Sequence, residues 1–265
     1  MKHTTQILLL VFLTVIFFSS CEKVVDVDLK DAEPKLVIEA YLSDQNINHI
    51  VRISKTISFN NSNQFNGLSG AQVVLRIPGG QQITFTETQA GIYHSPKFAG
   101  IPGSKYDIDV TVEGKVYTAT SVMPLPVILD SLSFKKISFF GEEEIFPVAH
   151  YKDPKDVQNQ YLFMVKARNE EPEDILIEDR FTNGNDVTES LFTGIEDLAE
   201  GNSIQVEMRV LDRNVYKYFF AIAQISGEGG PPVSPANPLS NFNNGAIGVF
   251  SAYTTTTLTK VVKLN

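Results

Sequence analysis

The chain has 265 residues, of which 43% are hydrophobic and 20% charged, proportions typical of a globular protein with a sizeable core. Its net charge of −9 argues against nucleic acid as a partner, because proteins that bind nucleic acid concentrate Lys and Arg on one surface. The single cysteine, Cys21, excludes an internal disulfide and a thiolate metal cluster.

The first 21 residues have the pattern of an export signal. Lys2 precedes an apolar run over residues 7–18, and the small residues Ser19 and Ser20 follow it. This order of charge, apolar run and small residues predicts a secretory signal peptide over residues 1–20. At about 12 residues, the apolar run is shorter than the roughly 20 that a membrane-spanning helix requires.

The end of this segment resembles a bacterial lipobox, in which small residues precede a cysteine that becomes the lipidated N-terminus. Ser19 and Ser20 fit the motif, and Phe18, where Leu is commonest, is tolerated in lipoproteins of the Bacteroidota type. The resemblance implies lipidation of Cys21. Removing residues 1–20 takes away a single one of the 22 basic residues and none of the 31 acidic ones, so the lipid rather than a basic patch must hold the protein to a membrane. The alternative is an ordinary cleaved signal followed by a chance cysteine.

Residues 21–33 are predicted to form a lipidated tether. Their first charged residues loosely resemble the export tags that send some Bacteroidota lipoproteins to the cell surface, so the membrane face stays open. Asp26, Asp28 and Asp31 suggest a calcium loop, but the Gly and the distal Glu of that motif are missing. We therefore expect a solvated tether rather than a metal site.

Residues 34–123 are predicted to form an N-terminal β-sandwich. Pro78-Gly79-Gly80 marks a hairpin turn between two β-rich runs. The clearest alternation of apolar and polar residues covers 106–112, and Glu113-Gly114 is the turn that follows it. A period of two, with turns about every 8–12 residues, is typical of a sandwich.

This block resembles the transthyretin-like, carboxypeptidase-regulatory kind of immunoglobulin-like domain. The residues that carry the resemblance are 69–73, 91–93 and 102–106. Their glycines open strands or take tight turns, so the resemblance implies a fold and no particular chemistry.

Residues 124–265 are predicted to form a second β-sandwich, separated from the first by a connector that Pro124 and Pro126 stiffen. Strands are predicted where apolar or alternating residues run together, over 161–165, 175–177 and 204–210. The predicted fold class is therefore all-β, with two tandem immunoglobulin-like or transthyretin-like β-sandwich domains, the second carrying one short helix.

The helix is predicted from a segment that departs from the period of two. Its apolar residues fall at i, i+3, i+4, i+7 and i+10, namely Val215, Tyr218, Phe219, Ile222 and Ile225. This spacing predicts a helix that packs one face against the sheet, with Asp212 or Asn214 capping its start and Gly227 its end. The aromatic content leaves a strand as the alternative.

A long Gly/Pro-rich loop and several aromatic residues lie together in residues 227–253. Loops of this length in a compact domain are usually functional or disordered, and we expect this one to follow a fixed path and contact a partner. Phe242 and Phe250 are the expected anchors; the alternative is that they close the domain's own core. The candidate contact residues are Asn237, Pro238, Asn241, Phe242, Gly245, Phe250 and Tyr253.

The sequence contains no Gly-x-Ser-x-Gly elbow, no phosphate-binding loop and no paired-histidine motif. His49, His94 and His150 are single and far apart along the chain. We therefore predict that the protein is not an enzyme and has no catalytic residues, metal site or cofactor. A hydrolase remains an alternative if the fold brings His94 or His150 to carboxylates between the domains.

A glycan- or peptide-binding surface lipoprotein is a further alternative. Stacking against a ligand would use aromatic residues, and the chain has no Trp. The tyrosines available for that role are Tyr93, Tyr106, Tyr117 and Tyr253.

A second resemblance covers essentially the whole chain after the signal. The lipobox, the Leu-Val-Ile-Glu-Ala-Tyr strand at 36–41, and Asn-Pro-Leu-Ser-Asn-Phe-x-x-Gly-x-x-Gly-Val-Phe-Ser-Ala-Tyr at 237–253 resemble an outer-membrane lipoprotein family of unknown function from Bacteroidota. Its members are commonly encoded beside TonB-dependent receptors. The resemblance implies a lipid-anchored outer-membrane accessory protein that acts by protein contact, with a TonB-dependent receptor as the expected partner.

Overall fold

The computed structural model describes residues 33–57, 65–139, 141–168, 170–180, 182–195, 198–226 and 238–264. Cys21, the predicted signal peptide, almost all of the predicted tether and Asn237 lie outside these residues. The elements are β1 (Leu36–Ser43), β2 (Ile47–Lys55), β3 (Gln72–Arg76), β4 (Gln82–Gln89), β5 (Ile92–Phe98), β6 (Lys105–Val112), β7 (Lys115–Val122), β8 (Leu129–Phe139), β9 (Glu142–Lys152), β10 (Gln160–Ala167), β11 (Glu173–Glu178), β12 (Asp186–Ser190), β13 (Ser203–Val210), α1 (Arg213–Ser226) and β14 (Ile247–Val261).

The strands form two hydrogen-bonded sheets. The longer sheet has eleven strands in the order β11-β10-β13-β14-β1-β2-β5-β4-β3-β6-β7, and the shorter one has the order β12-β9-β8. The longer sheet curls around a first core, because buried side chains of β1 and β2 share that core with those of β3 and β6. The first sandwich is thus built from one continuous sheet.

The second core lies between the two sheets. Buried side chains of β8, β9 and β12 pack there against those of β10 and β13. Tyr151 of β9 and Tyr161 of β10 meet edge to face at a centroid distance of 5.1 Å, a geometry that the quadrupoles of aromatic rings favour. The predicted class, an all-β protein of immunoglobulin-like sandwiches with one short helix, is confirmed.

The β6–β7 hairpin shows how directly the sequence determines local structure. Tyr106, Ile108, Val110 and Val112 are buried, and the residues between them are more exposed. Glu113 and Gly114, which connect the strands, have φ angles of 50° and 80°. Positive φ at both central residues is the requirement of a type I′ turn, whose twist matches that of the strands it joins.

The longest strand, β14, joins the two sandwiches. Its residues 247–253 pair in parallel with residues 37–43 of β1, and residues 254–261 pair antiparallel with β13. Side chains of β14 are buried on both faces: Phe250 and Ala252 lie in the first core, whereas Val249 and Tyr253 lie under α1. One strand therefore belongs to both halves of the protein.

Helix α1 confirms the predicted helix. Asp212 caps its start, because the Asn214 N–H donates to the Asp212 carboxylate at 2.8 Å. Val215 is buried against Val249 and Tyr253 of the sheet, but Ile222 and Ile225, expected on the packed face, are 41% and 46% exposed. The periodicity identified the helix without indicating how much of it the sheet covers. No described helix is long and apolar enough to cross a membrane.

The structure differs from the predicted division at 123/124 in one respect. Met123 is buried in the first core and Val127 in the second, so the chain passes between the cores where the prolines indicated. However, Phe242, Ala246, Phe250 and Ala252, which the division assigns to the second domain, complete the first core. Pro34–Asn265 consequently forms one compact unit.

Gly248 provides a test of the parallel β1–β14 pairing. It has a φ of +106°, and a Cβ at this position would overlap the carbonyl oxygen of Ile38. Gly248→Ala should therefore lower the free energy of unfolding, measured by urea denaturation, by about 3 kcal/mol or more.

Gly245→Ala is the matched control, because Gly245 also has a positive φ, +79°, but no atom lies within 4 Å of a Cβ there. This variant should lower the free energy of unfolding by only about 1–2 kcal/mol, the cost of a left-handed backbone conformation for alanine. Equal losses in the two variants would contradict the close approach of β14 to β1.

Candidate functional site

The motif segment, defined here as residues 238–253, lies along β7, the last strand of the longer sheet. The Asn243 N–H donates to the Thr118 carbonyl at 3.0 Å, and the Thr118 N–H donates to the Asn243 side-chain oxygen at 2.8 Å. The Asn244 amide donates to the Val116 carbonyl at 2.8 Å. These bonds satisfy backbone groups that an edge strand otherwise leaves open to another chain.

Asn241 closes the motif segment onto β14. Its side-chain nitrogen donates to the Phe250 carbonyl at 2.8 Å, and its side-chain oxygen accepts from the Phe250 N–H at 2.9 Å. The same nitrogen also donates to the Thr120 carbonyl of β7 at 3.2 Å. Asn241 thus links the edge strand β7 and the strand β14 to the loop that precedes β14.

The structure corrects the expectation that the aromatic residues of this segment face a partner. Phe242 and Phe250 are 6% and 1% exposed and lie in the first core. Tyr253 is buried under α1, with the Arg209 guanidinium 4.4 Å from its ring centroid. Phe250 and Tyr253 are buried because alternate residues of β14 point into two different cores, and Phe242, which precedes β14, also lies in the first core. A short apolar motif does not reveal this arrangement.

The remaining candidate contact residues have mixed placements. Pro238 and Asn241 are half-buried, and Gly245 is exposed. Leu239, which the sequence did not single out, is 79% exposed. Its position directly after Pro238 was the only signal in the sequence.

The three histidines of the described residues lie on three strands and are not brought to a common site. His49 on β2 is buried: its Nδ1 accepts from the Ser43 N–H at 3.4 Å and its Nε2 lies 2.8 Å from the Phe98 carbonyl. A backbone donor at one ring nitrogen and a carbonyl acceptor at the other fix the neutral tautomer protonated at Nε2. Burial lowers the pKa of His49, opposed by the bond to Phe98.

His94 and His150 contact hydroxyl groups rather than carboxylates. His94 Nδ1 lies 2.9 Å from the Thr88 hydroxyl. His150 lies between two neighbouring strands, with Nε2 2.7 Å from the Ser133 hydroxyl and Nδ1 3.3 Å from that of Thr188. The arrangement that would favour the hydrolase alternative, a histidine beside carboxylates, is not among these contacts. No group of three or more His, Cys, Asp or Glu side chains in the described residues is placed to hold a metal ion.

The tyrosines named for the glycan-binding alternative are mostly internal. Tyr93 and Tyr106 are each 1% exposed, and Tyr253 is also buried. The Tyr93 hydroxyl accepts from the Ala71 N–H at 2.9 Å and donates to the Leu68 carbonyl at 3.1 Å. The Tyr106 hydroxyl accepts from the Ile101 N–H at 2.6 Å. Tyr117 is the half-exposed member of the set.

One polar cluster was missed by sequence reasoning. Asp153, Asn159 and Asp179 are buried at the ends of β9, β10 and β11. The only local signal was an acidic residue directly before a proline, Asp153-Pro154. Three residues separated along the chain cannot be recognised as a cluster until the sheet aligns them.

These observations define the class of protein, an immunoglobulin-like β-sandwich whose C-terminal strand completes its N-terminal core. A family model described as a domain of unknown function, DUF4249, matches residues 22–259, so the chain belongs to that family. The expectation of a family without an assigned activity is thereby confirmed. A search of the curated proteins finds no match.

Several solved structures show a distant likeness. A segment of two fibronectin type-III domains from chicken tenascin is 12% identical, with 67% of this chain and 90% of that chain covered and a TM-score of 0.24. A DUF4785 family protein from Legionella pneumophila is 12% identical over 67% and 52% of the two chains, with a TM-score of 0.27. The adhesin InvE of Yersinia pseudotuberculosis is 18% identical over 67% and 55%, with a TM-score of 0.22. Likenesses this distant say nothing about function.

The buried neutral His49 predicts a specific pH dependence. Because its pKa in the folded protein lies below the ordinary value near 6.5, the unfolded chain takes up a proton first as the pH falls. Stability should therefore fall from about pH 6.5 down to the lowered pKa, with a slope of at most about 1.4 kcal/mol per pH unit.

His49→Gln should flatten this part of the curve of melting temperature against pH, whereas His94→Gln should leave it as in the wild type. A His49→Gln curve as steep as that of the wild type would show that other groups cause the loss.

Proposed function

We propose that the protein is a lipid-anchored outer-membrane accessory protein that acts by protein contact, with a TonB-dependent receptor as its partner. The observation that carries the proposal is the sequence Ser19-Ser20-Cys21 directly after a short apolar run. The pattern favours export and lipidation over a spanning helix. The membrane face on which the protein resides stays open.

The resemblance to outer-membrane lipoproteins encoded beside such receptors supports the choice of partner, since it includes both the lipobox and the motif segment. The net charge of −9 supports attachment through lipid, because anionic headgroups repel an acidic chain. Two or three acyl chains anchor a protein stably, whereas a single chain binds only marginally.

A contact through the motif segment has to use its exposed residues. Leu239 is the most exposed large apolar side chain of the segment, and residues 243–245 of the same segment are also exposed. The buried aromatic residues hold this surface in place by filling the first core beneath it. The candidate contact surface is therefore Leu239 together with residues 243–245.

The anchor is tested by Cys21→Ser. The variant should fold like the wild type but appear in the soluble fraction, because the thiol that carries the lipid is missing. Fractionation of membranes from cells that produce each form measures the effect. A variant that remains in the membrane fraction would contradict the lipid anchor.

The partner is tested by recovering the native protein from detergent-solubilised outer membrane and identifying what accompanies it. A TonB-dependent receptor should co-purify, and Leu239→Asp should lower its recovery about tenfold, since burying a carboxylate in an apolar contact is unfavourable.

Leu125→Asp is the control, because Leu125 is 65% exposed and lies outside the motif segment. The absence of any receptor would contradict the proposed function, and equal recovery with the two variants would remove the motif segment as the contact.

A further inference from the structure

Asp153, Asn159 and Asp179, referred to below as the carboxylate cluster, are 1%, 5% and 3% exposed. Asp153 follows β9, Asn159 precedes β10 and Asp179 follows β11. Because β10 and β11 are antiparallel neighbours, the last two lie side by side, and the Asp179 N–H donates to the Asn159 carbonyl at 3.0 Å. The Asp153 N–H donates to the Asn185 carbonyl at 3.0 Å, which ties the loop after β9 to the loop after β11.

Each carboxylate of the cluster has one oxygen with protein partners and one without. The Tyr161 hydroxyl donates to Asp153 Oδ1, and the Thr182 N–H and hydroxyl donate to Asp179 Oδ1 at 3.2 and 2.8 Å. Asp153 Oδ2, Asp179 Oδ2 and Asn159 Oδ1 are buried without a hydrogen-bond partner. They are three of the four such side-chain atoms in the described part of the chain.

The carboxyl groups of Asp153 and Asp179 are near enough to interact electrostatically. Burial raises the pKa of Asp153, and the neighbouring Asp179 adds to that effect while the Tyr161 hydroxyl opposes it. Two adjacent buried carboxylates require a compensating positive charge, either a shared proton or a cation. A shared proton serves the two carboxylate oxygens but leaves the amide oxygen of Asn159 without a partner. A cation, in contrast, can take several oxygen ligands, among them carboxylate and amide oxygens.

We propose that the carboxylate cluster is a Ca²⁺ site, with Asp153 Oδ2, Asp179 Oδ2 and Asn159 Oδ1 as its side-chain ligands. Calcium binds six to eight oxygen atoms in flexible geometry, and carboxylate, amide and carbonyl oxygens from loops are its usual ligands. Magnesium demands near-ideal octahedral geometry, which suits irregular loops less well. Two carboxylates and an amide are a modest ligand set, so we expect a Kd of about 10⁻⁴–10⁻³ M, the range of extracellular calcium modules.

A cavity of about 420 Å³ borders the cluster at Asp153. Asp153 and Gly184 are among its lining residues, together with the charged residues Asp130, Lys152 and Lys155. Neither lysine supplies a partner to Asp153 Oδ2. The free oxygen of Asp153 is therefore not hydrogen-bonded by a lysine of the cavity wall.

The test uses the full-length protein freed of metal with a chelator, at pH 7.5. Calorimetric titration with CaCl₂ should give one site. At a calcium concentration a hundred times the Kd, the melting temperature should rise by about 5–10 °C, and MgCl₂ at the same concentration should raise it by less than half as much. No calcium-dependent shift up to 10 mM, about ten times the weakest expected Kd, would overturn the proposal.

Asp179→Asn distinguishes a bound cation from a shared proton as the source of the compensating charge. The variant's amide can donate to Asp153 Oδ2, so it should fold without metal, with a melting temperature at or above that of the metal-free wild type, and lose the calcium-dependent shift. Glu143→Gln, at the exposed start of β9, is the control that should keep the shift.

Asn159→Ala should weaken calcium binding about tenfold, and an unchanged Kd would overturn the assignment of its amide oxygen as a ligand.

The metal-free wild type provides a second readout. If it becomes more stable as the pH falls below neutrality while calcium has no effect, the two carboxyl groups share a proton and the calcium site is ruled out.

Terbium provides a direct probe of location, because it substitutes for calcium and its luminescence is sensitised by nearby aromatic rings. The chain has no Trp, so sensitisation has to come from tyrosine, and Tyr161 touches Asp153. Tyr161→Phe should lower the luminescence excited through tyrosine, and excess CaCl₂ should abolish it in the wild type. Luminescence unaffected by both changes would place the ion elsewhere and overturn the site.

Discussion

The parallel pairing of β14 with β1 is the contact on which the rest of the structure depends. Without it, the first core lacks Phe250 and Ala252, and the first sandwich loses its connection to β13. The pairing requires the two backbones to approach closely at Gly248, where the Ile38 carbonyl occupies the space of a side chain. Because a parallel pair is closed by residues more than 200 positions apart, it can form only after much of the chain is present.

The β1–β14 pairing explains why most of the motif segment is internal. Its asparagines bind the backbone of β7, and its aromatic residues fill the first core, so most of the segment closes the protein onto itself. An edge strand that is covered in this way does not offer its backbone to another chain. Any partner that the motif segment contacts therefore meets side chains on a preformed surface, such as Leu239, and not an open strand.

The carboxylate cluster depends on the sheets in a different way. β9 belongs to the shorter sheet, whereas β10 and β11 belong to the longer one, so Asp153 meets Asp179 only when the two sheets pack over the second core. Two buried like charges oppose that packing unless a proton or a cation accompanies them. An ion held there would link the sheets at the end of the sandwich where the loops after β9 and β11 meet.

The sequence by itself determined most of the local structure. The alternation of Tyr106, Ile108 and Val110 predicted the strand, and Glu113-Gly114 predicted the turn after it. The spacing of apolar residues from Val215 onward predicted the helix. These features depend on residues a few positions apart, for which backbone geometry and burial of one face suffice as signals. The absence of internal disulfides likewise follows from a single cysteine, and the lipobox resemblance follows from adjacent residues.

Only the tertiary structure decided which surfaces the elements cover. Phe242 and Phe250 suit a partner contact and a core equally well by composition, and their burial became apparent only when β14 was placed against β1. Asp153, Asn159 and Asp179 form a cluster for the same reason, since strand pairing and sheet packing bring them together. The apolar pattern of a strand indicates that one of its faces is buried. It does not indicate which element covers that face, because the hydrophobic effect is not directional.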